Sequence, residues 1–166
     1  MPEWASTLIV VAVLLLILFG MWQGWRGLVR RSAHLTPSHD VPAALGEPLV
    51  EARGLYVATT AHGKPLERLA ITGLGFRAQG GIAVHRLGLV LEVTGSKDVW
   101  VPASAIVGAR PAQLVIDKAV EKDGLLALSW RLDETVVDSY FRVMEPEKIG
   151  ALYNAIHSLT AAESEV

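Results

Sequence analysis

GLLALSWRLDETVVDSYFRVMEPEKIGALYNAIHSL, residues 124–159, holds two patterns in succession. In its first half Leu126, Leu128, Trp130 and Leu132 alternate with other residues, as in a strand with one buried face. Asp133-Glu134 then forms a hairpin-like connection to a second β-rich run, Thr135–Val143. In its second half the period changes. Pro146 suits a first helical turn, Glu145 and Glu147 favour the positive helix end, and Ile149, Leu152, Tyr153, Ile156 and Leu159 recur at steps of three and four. A hairpin followed by an amphipathic helix with one core-facing stripe is the expectation. The polar residues beyond it, including a tail at 163–166, should fray.

Upstream, short β-rich runs are separated by turn residues: Leu55–Thr60, Leu66–Thr72, Phe76–His85, Leu87–Thr94 and Val99–Pro102. With the terminal hairpin this makes seven strands. Residues 103–122 stay mixed, because Pro111 breaks any single helix across them. A mainly β domain with a C-terminal α-helix is therefore expected over residues 51–162, and on its own it should be soluble, folded and monomeric. Residues 32–50 hold three prolines, a glycine and no sustained period, and read as a flexible linker.

The N-terminus is of another kind. Between Glu3 and Arg26 lie 22 residues without a formal charge, including the wholly apolar run Leu8–Phe19. As a helix they extend about 33 Å, enough to cross a hydrocarbon core of roughly 30 Å. Trp4 stands at one end and Trp22 and Trp25 at the other, where amphipathic rings favour the water interfaces. A cleaved signal peptide would need a basic start and a small-x-small site, and this segment has neither. Residues 1–31 are thus read as one transmembrane helix with a basic flank. Arg26, Arg30 and Arg31 follow the span, so the positive-inside rule places the rest of the chain in the cytoplasm, on a single-pass anchor in the inner (cytoplasmic) membrane.

Composition narrows the function classes. The chain is 51% apolar with mean hydropathy +0.37, and the excess lies in this segment. Residues 32–166 carry 12 Lys and Arg against 16 Asp and Glu, a net −4, which argues against nucleic acid as a partner. The chain contains no cysteine, which excludes disulfides, thiolate metal sites and cysteine nucleophiles.

Motif by motif, the chemistry stays structural. Gly73-Leu-Gly-Phe-Arg-Ala78 fits a dinucleotide fingerprint in letters only, since a strand rather than a helix follows; a glycine turn is the better reading. Gly63-Lys64 lacks the upstream glycine of a P-loop and is followed by Pro65. His34, His39, His62, His85 and His157 show no spacing of metal ligands, and Ser104, Ser129 and Ser139 lack a nucleophile-elbow setting. Neither catalytic residues nor a cofactor or metal site is assigned. Trp100 and Trp130 are read as core residues whose indole N–H groups need acceptors.

Seven short strands and a closing helix is the order found in pleckstrin-homology (PH)-like domains. Leu55-Tyr-Val-Ala-Thr-Thr60, Gly73-Leu-Gly-Phe-Arg77, Trp100-Val-Pro-Ala-Ser-Ala-Ile106 and Gly124-Leu-Leu-Ala-Leu-Ser-Trp130, with the N-terminal span, resemble the actinobacterial single-span membrane-anchored PH-like proteins. Those are described as export or transporter proteins and are encoded near pyrimidine-biosynthesis genes. The resemblance implies a bent two-sheet barrel and a candidate partner class, the pyrimidine-pathway enzymes. In PH domains that bind phosphoinositides, a basic cluster surrounds the first hairpin loop. The matching segment here, residues 60–68, offers Lys64 and Arg68 with an opposing Glu67, enough only for weak contact with anionic headgroups.

The expected function is a membrane-tethered binding or scaffold module that recognises a protein through a sheet edge or the groove beside its last helix. The alternative is an accessory subunit of a transport or export system, working beside a permease, because one span cannot enclose a conventional pathway. Gly20-x-x-x-Gly24 offers a small-residue pair for helix association at the interface end of the span.

Overall fold

The computed structural model describes residues 3–32, 35–112 and 125–163. The apolar N-terminal segment is one helix, α1 (Glu3–Ser32). Seven strands follow: β1 (Val50–Ala61), β2 (Ala78–His85), β3 (Gly88–Val93), β4 (Val99–Pro102), β5 (Ile106–Pro111), β6 (Leu125–Leu132) and β7 (Thr135–Val143). A 3-10 turn at Pro146–Lys148 leads into the last helix, α2 (Ile149–Glu163). The fold class expected from the sequence is the one observed.

All neighbouring strands are antiparallel, in the order β4-β3-β2-β1-β7-β6-β5. The two expected sheets are joined through β1. Its first half pairs with β2 over Val50–Tyr56 and its second with β7 over Gly54–Ala61, with a register shift between Tyr56 and Ala58. Such a bulge bends a strand and lets it turn from one half-sheet into the other. At the crossing, a side chain on Gly54 would collide with the Arg142 carbonyl and the Phe141 ring, so only glycine fits.

The inner faces of both halves meet in one core with Tyr56, Ile82, Leu126, Trp130 and Phe141. Leu152, Ile156 and Leu159 close it from α2 and are buried, with Ile149 and Tyr153 half-buried beside them, which is the stripe read from the sequence.

A chain of buried hydrogen bonds crosses this core, and its polarity follows from donor counting. The Tyr56 hydroxyl donates to the Leu74 carbonyl at 2.7 Å, so it must accept from Thr59, 2.8 Å away. Thr59 must then accept from Ser139 at 2.7 Å, while Ser139 accepts the Trp130 indole N–H at 2.9 Å. The indole thereby finds its acceptor, and residues of the β1–β2 connection are fastened to β7.

Three sequence expectations are corrected. Leu66–Thr72 is not a strand: Arg68 makes one isolated bridge to Thr60, and the chain then turns. Its Ile71, with Leu74 just beyond the segment, serves instead as a plug buried in the core. The seventh strand is β5, within the stretch left mixed. Pro111 is tolerated because β5 is an edge strand: the N–H of Ala112 bonds the Leu125 carbonyl, so by alternation the nitrogen of Pro111 faces away from β6. The remainder of that stretch, 113–122, lies outside the described residues.

The linker is the third correction. Leu35 is buried in the main core, the Ser38 carbonyl accepts the Trp100 N–H at 2.8 Å, and Leu45 packs on the outer cluster of Ala83, Val90 and Trp100. Apolar side chains among the prolines find a complementary sheet face, so residues 35–49 form a strap on the domain. Burying Leu35 alone stabilises by roughly 1.5–3 kcal/mol. A fragment of residues 35–163 is therefore expected to unfold at a higher urea concentration than one of residues 51–163, which chemical denaturation followed by tryptophan fluorescence would measure.

Candidate functional site

Three surfaces stand out, beginning with α1. Its apolar stretch Thr7–Gly27 is long and apolar enough to cross a membrane, and no part of it is buried against the rest of the chain. Trp4, Trp22 and Trp25 are all exposed. Arg26 lies over the Trp22 ring, 4.9 Å from its centroid, which places a cation on the aromatic face at the end of the span. Arg30 is exposed one turn further on, and Arg31 lies in the same helix.

The second surface is built on a buried carboxylate that the sequence reading did not single out. Asp138 points to the outer face of β7 and its side chain is fully buried. Oδ1 accepts from Ser129 Oγ at 2.7 Å and from His62 Nδ1 at 2.8 Å. Oδ2 accepts from Arg110 at 2.7 Å and from the Gly63 amide at 3.1 Å. Burial alone would push this carboxyl up, but the donations from Ser129, His62 and Gly63 outweigh it and hold the group below the ordinary aspartate value. The bond to the carboxylate places the proton of this half-exposed ring on Nδ1. Asp138 thus fastens together β5, β6, β7 and the start of the β1–β2 connection. Its partners lie 9 to 76 positions away, so no local motif announces it.

Lys64 and Arg68 lie in the turn that follows. Lys64 is paired with Glu67 at 3.1 Å and both are exposed, whereas Arg68 is exposed and its backbone bridges to Thr60. The structure therefore brings Lys64 to its acidic neighbour and not to a cluster of cations. Among the described residues, no group of three His, Asp or Glu side chains is placed to hold a metal ion.

The third surface is a sheet edge. The strap covers β4 through the Ser38–Trp100 bridge. At the other end of the sheet, β5 pairs with β6 alone among the described strands, and α2 packs against it. Val107, in the register shift between Ile106 and Gly108, is exposed. An edge of this kind presents unpaired N–H and C=O groups to which an extended segment can add.

A seven-stranded antiparallel sheet closed by a C-terminal helix has the architecture of a PH-like domain. Residues 35–157 match the family model described as "Bacterial PH domain-like", and the chain belongs to that family. The match begins at the residue where the strap enters the core.

Solved structures are similar at low identity. A chain of "The 8S snRNP Assembly Intermediate" is 8% identical with a TM-score of 0.49, over 73% of this chain and 87% of that one. The C-terminal domain of an unknown protein from Leishmania infantum is 11% identical with a TM-score of 0.41, over 66% of this chain and 83% of that one. No curated protein matches the chain.

Proposed function

We propose that this protein is a membrane-tethered binding module without catalytic activity. α1 anchors it in the cell membrane, the PH-like domain stands on the cytoplasmic side, and the β5 edge beside α2 receives an extended segment of a protein partner. The observation that carries the reading is α1 itself: 21 successive residues, Thr7–Gly27, with none of them covered by the domain. An apolar surface of that extent is stable only in lipid or against another protein. The Trp and Arg residues at its ends fit the first. Lys64 and Arg68 contribute weak contacts to anionic headgroups in this arrangement. The partner class suggested by the resemblance is the pyrimidine-pathway enzymes, and a permease is the competing neighbour.

The absence of cysteine makes topology directly measurable. A single cysteine introduced at the exposed Asn154 of α2 is expected to resist a membrane-impermeant maleimide in intact cells and to react after permeabilisation. Reaction in intact cells would place the domain outside and refute the cytoplasmic assignment.

A further inference from the structure

The strap changes where the domain stands. A free linker of 19 residues would let it wander roughly 25 Å from the membrane. Here only residues 33 and 34 separate the end of α1 at Ser32 from the buried Leu35. From Gly27 the helix adds about 7.5 Å and the links to Leu35 at most about 11 Å, against a headgroup layer of some 5–8 Å. The domain therefore stands on a short stem.

The stem joins one particular end of the domain. The Thr36 amide reaches Asp133 in the β6–β7 turn at 3.4 Å, and His39 Nδ1 lies 2.9 Å from the Asp98 carbonyl in the β3–β4 turn. The His39 ring also borders Gly73 in the β1–β2 connection. At this same end lie Leu66, in the turn that closes β1, and Phe76, two residues before β2. Both are 79% exposed, the highest values among the large apolar side chains described.

We infer that this loop end rests on the bilayer, with Leu66 and Phe76 entering its interface as a second, non-covalent attachment beside α1. The inference rests on the membrane-anchor reading and adds an orientation to it. Apolar contact rather than headgroup charge carries it, because the charges of these loops cancel: Lys64, Arg68, Arg77 and Lys97 face Glu67, Asp98, Asp133 and Glu134. The phospholipid interface suits such a surface, since it accepts apolar and aromatic side chains without requiring a cationic patch. Met144 lies at the far end of β7, about 30 Å along the strand from the β6–β7 turn, and away from the stem.

The test uses the full chain in phosphatidylcholine–phosphatidylglycerol vesicles, with an environment-sensitive fluorophore on Leu66→Cys, Phe76→Cys or Met144→Cys, all exposed positions. Lipid-borne quenchers should reduce emission at 66 and 76 several-fold more than at 144, and the difference should persist in 0.5 M salt, where simple attraction to charged headgroups is screened to about 4 Å. Equal quenching at all three sites, or a contrast abolished by salt, would overturn the inference. Flotation with the vesicles separates the two levels: chains that float without the contrast refute the orientation alone, and chains that do not float refute the anchor together with it.

Discussion

Removing α2 by ending the chain at Glu145 should abolish the cooperative fold of the domain. Leu152, Ile156 and Leu159 are buried in the same core as Trp130 and Phe141. At 1.5–3 kcal/mol for each fully buried large apolar side chain, their loss amounts to about 5–9 kcal/mol, comparable with the whole stability of a small domain. The truncation also uncovers the inner faces of β1 and β5, against which the helix packs. Loss of the cooperative thermal transition, read by far-ultraviolet circular dichroism on residues 35–145 beside residues 35–163, checks this. A retained transition within a few degrees would show that α2 is an accessory and not a wall of the core.

Asp138→Ala is expected to have the next largest effect. It leaves the Ser129 hydroxyl, the Gly63 amide and the Arg110 guanidinium without their acceptor. Arg110 is half exposed and can turn to water, so the cost comes mainly from the buried Ser129 hydroxyl left unpaired, about 1–3 kcal/mol, which denaturant titration would resolve. Asp138→Asn keeps the shape and part of the bonding and should lose less. The native carboxyl also carries a pH dependence whose sign is fixed by the direction of its shift. Because the folded pKa lies below the unfolded value of about 3.9, the Asp138 contribution is fully present above that value and is lost as pH falls through the folded pKa. The stability difference between the native chain and Asp138→Asn should therefore narrow below about pH 4. A difference that widens on acidification would contradict the assignment.

These effects rest on features of unequal visibility in the sequence. The β6–β7 hairpin and α2 were legible because large core-facing side chains recur at every second position in β6 and at steps of three and four in α2, the change falling at Pro146. The strand β5 was hidden by the irregular register at Val107 and by Pro111, which an edge strand accommodates and a central strand would not. Leu66–Thr72 has strand composition, yet its buried Ile71 fills the core from a turn, as does Leu74 just beyond it, which composition does not distinguish from pairing. The strap looked like a linker because prolines mask the purpose of Leu35 and Leu45, whose burial depends on a sheet formed later in the chain.

The candidate surfaces divide along the same line. The apolar stretch of α1, with its Trp and Arg ends, depends only on a contiguous run and could be read residue by residue. The Asp138 cluster unites residues from one loop and three strands, so it exists only once the sheet has formed. The β5 edge, which pairs with β6 alone among the described strands, likewise depends on strand order.

The central claim, a tethered module that binds protein through this edge, is tested most directly by site-specific photocrosslinking at the exposed Val107 in native membranes. The account predicts a discrete protein adduct, identified by mass spectrometry, that depends on α1 and disappears with Ala109→Pro, which removes an outward-facing N–H of β5, on the same side as the nitrogen of Pro111, and leaves the β5–β6 ladder in place. Adducts confined to the apolar face of α1, with a permease as the dominant neighbour and nothing captured at Val107, would contradict it.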